Sequence, residues 1–165
     1  MRFCKKCLYP DTKPQLNFDE NGVCDACGWA EQKEKVDWDS RKKDLAVILE
    51  KYKSKDGSRY DCIIPVSGGK DSHFQAHIIK NEFGLNPLLV NFVAIDLIPL
   101  GRKNIENLKK LGVDYIEFTP NPITYRKMEK YGLMELGDAN WPEHVGIFSV
   151  PIQVAVAYKI PLIVW

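Results

Sequence analysis

The sequence predicts an α/β fold: a parallel sheet with helices on both faces, preceded by a small separate unit. Short apolar runs alternate with helix-forming segments from residue 58 onward, and this alternation is typical of parallel strands joined by helices. The predicted strands lie at 61–66, 88–93, 114–118 and 161–165. The predicted helices lie near 71–83, 102–111, 122–136 and 147–158. Two Cys-x-x-Cys pairs within the first thirty residues mark the separate unit.

Length and composition limit the number of domains and the class of protein. A chain of 165 residues has room for one mid-sized domain and a small appendage. With 45% hydrophobic residues, 27% charged residues and a net charge of +1, it is an ordinary globular chain without a strong field to recruit nucleic acid. Charges and prolines interrupt every apolar run below membrane-span length.

The four cysteines of the first unit predict a metal site. Sixteen residues separate Cys4 and Cys7 from Cys24 and Cys27, a spacing typical of four-cysteine zinc ribbons. Two disulfides are the alternative. Since no signal-peptide pattern precedes Cys4, we expect the reducing cytoplasm, which disfavours them. We therefore expect a closed, structural Zn²⁺ site in a ribbon over 1–30. Cys62, in an apolar strand, is expected to be a buried hydrophobic side chain.

A charged segment over 31–57 is predicted to be an amphipathic linker helix. Leu45, Ile48, Leu49 and Tyr52 recur at helical spacing, and Asp39 or Ser40 is expected to cap the helix. The α/β domain then covers 58–165.

The hexapeptide Ser67-Gly68-Gly69-Lys70-Asp71-Ser72 carries the clearest functional signal. It follows an apolar strand and opens a helix, a geometry that points N–H groups and a positive helix end at one spot suited to phosphate. It fits neither a Walker A loop, since Ile64 stands in place of glycine, nor a dinucleotide fingerprint, which needs three spaced glycines.

This hexapeptide resembles the loop of the PP-loop ATP pyrophosphatases, which split ATP between its α and β phosphates. The resemblance implies an adenine nucleotide α-hydrolase-like, Rossmann-like fold that binds ATP and Mg²⁺. Carried over by position, Ser67, Gly68, Gly69 and Ser72 contact phosphate. Lys70 adds positive charge and Asp71 organises magnesium or the loop, which makes these two the candidate catalytic residues.

Longer segments make the resemblance more specific. They lie at Phe3–Pro14, Phe18–Cys27, Lys51–Ser72, Phe118–Pro122 and Trp141–Phe148. With them the chain resembles the N-terminal part of the N-acetyl sugar amidotransferases, which serve bacterial surface-polysaccharide (O-antigen) and nonulosonic-acid biosynthesis. Because members of that family are longer, we expect this α/β domain to be a fragment. Adenosine contacts are expected after the second strand, where the segment 94–101 fits the family less clearly.

The family implies a specific reaction. ATP adenylates the acetamido oxygen of a nucleotide-linked N-acetyl sugar, and ammonia displaces AMP to leave an acetamidino group. The ammonia comes from partner subunits that resemble the glutaminase and cyclase of histidine biosynthesis. Glu143 and His144 are further candidates, either for proton transfer during the attack or for capping a helix. His73 and His77 lie at metal-binding spacing, but packing or solvent exposure is the competing interpretation.

Two alternatives remain open on sequence grounds. The first is a tRNA-thiolating PP-loop enzyme, which would need a basic RNA-binding surface and reactive or cluster-binding cysteines in the α/β domain. The second is a truncated nucleotide-binding module without turnover.

Overall fold

The computed structural model describes residues 1–93 and 97–165. Its three strands are β1 (Cys62–Pro65), β2 (Pro87–Phe92) and β3 (Asp114–Phe118). Its α-helices are α1 (Asp25–Glu34), α2 (Trp38–Glu50), α3 (Lys70–His77), α4 (Pro99–Lys109), α5 (Pro122–Tyr131) and α6 (Trp141–Tyr158). Single π-helical segments, Ile78–Glu82 and Gly132–Leu136, continue α3 and α5.

The three strands form a parallel sheet in the order β1-β2-β3. The predicted fourth strand, 161–165, is reduced to one parallel bridge between Ile163 and Ile63 on the free edge of β1. The N–H of Ile63 donates to Leu162, and the N–H of Val164 donates back to Ile63, each at 2.9 Å. The chain therefore runs outward from β1 to β3 and then returns to the opposite side of β1. This reversal makes the carboxyl end of β1 a topological switch point, where α/β sheets bind ligands.

Helices cover both faces of the sheet, as predicted. One face packs against α3 and α4, and the other packs against α6, because neighbouring strand residues point to opposite sides. The apolar cluster between the sheet and α3 and α4 includes Cys62, Ile64, Leu89, Ala76 and Leu108. The apolar cluster between the sheet and α6 includes Ile63, Leu88, Val90, Val150 and Ala155. Each fully buried leucine or isoleucine contributes roughly 1.5–3 kcal/mol, so the two layers hold the end of β1 firmly in place.

The charged segment over 31–57 is not one helix. It contains the end of α1 and all of α2, and the break falls at 35–37. The expected cap by Asp39 or Ser40 is wrong: Asp37 Oδ1 accepts the N–H of Ser40 at 2.9 Å. An acceptor placed just before the first helical residue reaches the N–H two or three residues into the helix, which explains this choice. Of the predicted apolar stripe, Leu49 alone is fully buried.

The chain forms two compact units, Met1–Leu45 and Ala46–Trp165. Their boundary lies inside α2, whereas the sequence placed boundaries at 30 and 57. Among the helices of the described residues, none combines the length and the apolarity needed to cross a membrane.

Candidate functional site

The loop 67–72 joins β1 to α3 through a glycine that no other residue replaces easily. Gly68 has a φ of +82°, in the left-handed region that favours glycine. A Cβ at this position would also lie 3.1 Å from the side chain of Ile105 and 3.4 Å from its backbone nitrogen. The loop therefore packs closely on α4, and its path depends on Gly68.

Two hydroxyl groups organise the inside of this loop. Ser72 Oγ accepts the N–H of Ser67 at 3.0 Å and lies 3.4 Å from Ser67 Oγ. Ser67 Oγ in turn accepts the N–H of Gly69 at 3.3 Å. Both hydroxyls thus lie beside the amino end of α3, where the helix dipole and the free N–H groups of the first turn favour an anion.

Lys70 and Asp71 occupy the outer side of the loop. Their side chains are 88% and 84% exposed, and Lys70 Nζ donates to Asp71 Oδ1 at 2.8 Å. Such an exposed pair contributes little to stability, so a ligand can compete for either group. Their expected catalytic roles remain predictions.

A cavity of about 250 Å³ lies in front of the loop, at the carboxyl ends of β1 and β2. Its lining combines the loop hydroxyls, apolar strand ends and the first turns of α6: Pro65, Val66, Ser67, Ser72, Val90, Phe92, Glu143, Ile147 and Trp165. Within the described parts of the chain, no lysine, arginine or histidine lines this loop cavity, and Glu143 is its one acidic side chain. The cavity occupies the switch point of the sheet.

The structure separates Glu143 from His144. In a capping box, Glu143 would accept the N–H of Asn140, the residue before α6. That N–H donates instead to Asp138 Oδ1 at 2.8 Å. His144 is exposed and does not line the loop cavity, and its Nδ1 lies 3.7 Å from Asp138 Oδ2. Glu143 is half-buried, lines the cavity, and makes no hydrogen bond or ion pair with the described residues.

Sequence reasoning missed the six apolar lining residues, of which Phe92, Ile147 and Trp165 are the largest or most distant from the loop in sequence. Phe92 and Trp165 lie at or next to the carboxyl ends of the predicted strands 88–93 and 161–165, so the rule that ligands bind at carboxyl strand ends could have identified them. No sequence signal singles out Ile147, because its approach to the loop depends on how α6 packs. Trp165 also contacts Phe148, with ring centroids 5.0 Å apart.

A second cavity, of about 330 Å³, lies on the other side of Phe92, between α5 and α6. Its walls are apolar and uncharged among the described residues, with amide and hydroxyl groups at intervals. They include Phe92, Phe118, Tyr125, Met128, Val145, Asn121, Thr124, Ser149 and Gln153. Gly146 allows α6 to pack closely against Phe92 of β2, because a Cβ at position 146 would lie 2.4 Å from the Phe92 ring. This uncharged cavity suits a neutral group with apolar surface.

The two helix histidines have partners other than a metal. His73 Nδ1 lies 3.0 Å from the carbonyl oxygen of Gly69, to which it donates. Asn81 Nδ2 donates to His77 Nδ1 at 3.0 Å. These contacts, together with the exposure of His77, support the competing interpretation of packing or solvent exposure.

The four cysteines of the first unit come together, as predicted. Their Sγ atoms all lie within 4.8 Å of one another, and those of Cys4, Cys24 and Cys27 belong to buried residues. The Cys4–Cys27 and Cys7–Cys24 sulfurs are 3.9 and 3.6 Å apart. A tetrahedral zinc with Zn–S bonds of about 2.3 Å separates its sulfurs by about 3.8 Å, whereas a disulfide bond is about 2.05 Å. The cluster therefore fits a structural zinc.

Backbone geometry prepares Cys4 in particular for a metal. Burial by itself raises the pKa of its thiol, but the N–H groups of Cys24, Cys7 and Lys6 all point at its sulfur and lower the pKa from 9.0 to about 6. Burial raises the pKa of Cys27 to about 12, and hydrogen bonds from neighbouring thiols add to the effect. Thiolates are the zinc-binding form, so these shifts govern how the site loads.

Cys62 lies in β1 with no exposed surface, as expected. Burial raises the pKa of its thiol to about 12, and the charge of Asp61 adds to the shift. A thiol of this kind is a poor nucleophile, because the thiolate is the reactive form.

No family model matches the chain. An uncharacterized protein of the archaeon Methanocaldococcus jannaschii is similar to it, with 33% identity over 105 residues. The similar region covers 63% of this chain, and the chain spans only 36% of the length of that relative.

One part of the segment expected to contact adenosine lies outside the described residues. The expected adenosine contacts fall in the segment 94–101, of which residues 94–96 lie outside the described residues. That expectation stays a prediction.

Proposed function

We propose that this chain is the ATP-binding part of a PP-loop N-acetyl sugar amidotransferase. In this proposal, ATP and ammonia convert the acetamido group of a nucleotide-linked sugar into an acetamidino group, with release of AMP and pyrophosphate. One observation carries the proposal: the hydroxyls of Ser67 and Ser72 face a cavity at the switch point of a parallel sheet.

The loop would bind the pyrophosphate end of ATP. Ser67 and Ser72 offer hydroxyls, α3 offers the positive end of its dipole, and Gly68 keeps the backbone close to the ligand. Lys70 is adjacent and exposed, so its ammonium is free to reach a phosphate by exchanging its contact with Asp71. These groups stabilise the charge that grows on the departing pyrophosphate.

Adenylation explains why such a reaction needs ATP. An amide oxygen is a poor leaving group, and its transfer to the α-phosphorus turns it into part of AMP. Nitrogen from ammonia then forms the new C–N bond as the C–O bond breaks, so the amide oxygen leaves on AMP. Ammonia would come from glutaminase and cyclase-like partner subunits.

The second cavity is the candidate site for the neutral part of a substrate. It shares Phe92 with the loop cavity, and its amide and hydroxyl groups can orient an uncharged ligand. Two neighbouring compartments, one beside a phosphate loop and one apolar, suit a reaction between a triphosphate and a second substrate.

The tRNA-thiolating alternative has less support from the structure. Such an enzyme needs reactive or cluster-binding cysteines in the α/β domain. The α/β unit offers only Cys62, which is buried and has a pKa of about 12. The four clustered cysteines fit a closed zinc site instead.

The proposal is tested by measuring pyrophosphate and AMP release. The assay contains Mg-ATP, ammonia and a panel of UDP-linked diacetamido uronic acids, and compares the natural chain with Ser67→Ala and Asp71→Ala. Ser40→Ala, an exposed change on α2, is the matched control. We expect sugar-dependent release that both loop variants reduce and the control retains.

Other outcomes separate the alternatives. Release that requires tRNA rather than sugar would favour the thiolating enzyme. ATP binding without release on any sugar of the panel would favour a nucleotide-binding module.

A further inference from the structure

We propose that Glu143 is the protein ligand of the divalent cation that accompanies a nucleoside triphosphate in the loop cavity. This inference rests on the proposed function, because it assumes that the loop cavity receives phosphate. It assigns the metal to α6 rather than to the loop residue Asp71, for which the family resemblance implies the organisation of magnesium or of the loop.

The position of Glu143 supports this role. It lies in the first turn of α6 and lines the same cavity as the hydroxyls of Ser67 and Ser72. The carboxylate is half-buried and has no hydrogen-bond or ion-pair partner among the described residues. A carboxylate held in a cavity without a partner is available to a ligand.

The helix does not need Glu143 for its own capping. Asp138 already accepts the N–H of Asn140, and His144 lies beside Asp138. Asp138 therefore fills the capping role that was the alternative to a chemical role for Glu143. The local structure leaves Glu143 directed at the cavity.

The charges that line the cavity favour a cation beside Glu143 once phosphate is bound. Phosphate groups beside the loop would place their negative charge next to Glu143, and no lysine, arginine or histidine of the described chain lines this space. Like charges at close range repel strongly in a partly buried site. Mg²⁺ commonly resolves this arrangement, since it binds through one or two carboxylates together with phosphate oxygens.

Asp71 is the less suitable ligand in this arrangement. Its side chain is 84% exposed, contacts Lys70 at 2.8 Å and does not line the cavity. Glu143 and the loop hydroxyls, in contrast, line the same cavity. The geometry thus favours a metal between α6 and the phosphates.

The test uses Mn²⁺ as a paramagnetic substitute and α,β-methylene-ATP as a nucleotide that cannot be cleaved at the α–β bond. Free Mn²⁺ is measured by electron paramagnetic resonance with the natural chain, Glu143→Gln, Glu143→Asp and Asp71→Asn. Glu135→Gln, an exposed acid after α5, is the matched control. Nucleotide binding in EDTA and thermal unfolding are measured for every variant.

We expect Glu143→Gln to weaken nucleotide-dependent Mn²⁺ binding by about tenfold or more. Loss of a residue that only orients a metal ligand already weakens metal binding by about 10–100-fold, and this substitution removes the ligand itself. Glu143→Asp should retain part of the affinity, and the control all of it. Binding of the nucleotide in EDTA should not weaken in Glu143→Gln, because the loss of the negative charge removes its repulsion of the phosphates. The unfolding temperature should not change, and the two results together separate a metal role from a structural one.

Two results would overturn the inference. Equal Mn²⁺ affinity in Glu143→Gln and the natural chain, or a loss confined to Asp71→Asn, would remove Glu143 from the site and leave the proposed function intact. Failure of the natural chain to bind the nucleotide at all would remove both proposals together.

Discussion

Ser72 Oγ lies 3.0 Å from the backbone nitrogen of Ser67, and this hydrogen bond closes the loop between β1 and α3. The contact connects the carboxyl end of a buried strand to the first turn of a helix. Because Ser72 is itself buried, the loop keeps its shape before any ligand arrives. Such preorganisation lowers the entropy cost of binding an anion.

We predict that Ser72→Ala lowers stability and weakens ATP binding together. The N–H of Ser67 would lose its acceptor, at a cost of about 1 kcal/mol. Urea denaturation measures the first effect, and isothermal titration with ATP measures the second. Ser40→Ala, exposed on α2, should change neither. Unaltered ATP affinity in Ser72→Ala would contradict the assignment of this hydroxyl to the phosphate site.

We predict that zinc removal unfolds part of the unit Met1–Leu45 and leaves Ala46–Trp165 protected. The small unit buries little besides its cysteines, together with Leu16, Phe18 and Val23 around them, so the metal supplies much of its folding energy. Hydrogen exchange by mass spectrometry, with and without a chelator, measures both units in one experiment. Cys24→Ser should mimic chelation, whereas Cys62→Ala should still bind one zinc per chain. Equal protection with and without metal would argue against a zinc-dependent fold.

We predict that zinc affinity rises with pH. The raised pKa of Cys27 keeps its thiol protonated at neutral pH in the absence of metal, and zinc binds the thiolate. The proton must leave, so the affinity should increase about tenfold per pH unit for each proton released. Cys4, with a pKa of about 6, is already a thiolate at neutral pH and adds to the slope only in more acidic solution. Zinc titration in buffers of different ionisation enthalpy counts the protons, and a pH-independent affinity would refute this account.

We predict that Gly146→Ala is destabilising although alanine is the better helix former. The new Cβ would lie 2.4 Å from the Phe92 ring, and overpacking of this kind costs about 1–3 kcal/mol. Gly28→Ala on α1 is the matched control: nothing lies within 4 Å of its Cβ, so it should stabilise by about 0.4–1 kcal/mol. Urea denaturation compares the two variants. If both stabilise equally, α6 does not pack on Phe92 as described.

We predict two classes of thiol reactivity for a zinc-loaded chain. The four cluster thiols should react with Ellman's reagent only after chelation, and Cys62 only in denaturant, because burial raises its pKa to about 12. Counting the released chromophore at each step should give zero, four and five thiols for the five cysteines of the chain. A fifth thiol that reacts before denaturation would show that β1 is more accessible than its packing indicates.

The sequence by itself determined the features that depend on local chemistry. Cysteine spacing placed Cys4, Cys7, Cys24 and Cys27 in one cluster, and alternating apolar runs predicted the parallel sheet with helices on both faces. The two glycines after β1 predicted the turn into α3. Each of these signals spans only a few neighbouring residues, and so each can be detected in the sequence alone.

Only the tertiary structure decided which distant residues share a space. Glu143 and His144 are neighbours in the chain, yet one lines the loop cavity and the other lies beside Asp138. Likewise Lys70 and Asp71 face outward while Ser67 and Ser72 face the cavity. These side-chain positions follow from the direction in which α3 and α6 pack on the sheet. That direction is set by many weak apolar contacts between segments far apart in the chain, which no local pattern encodes.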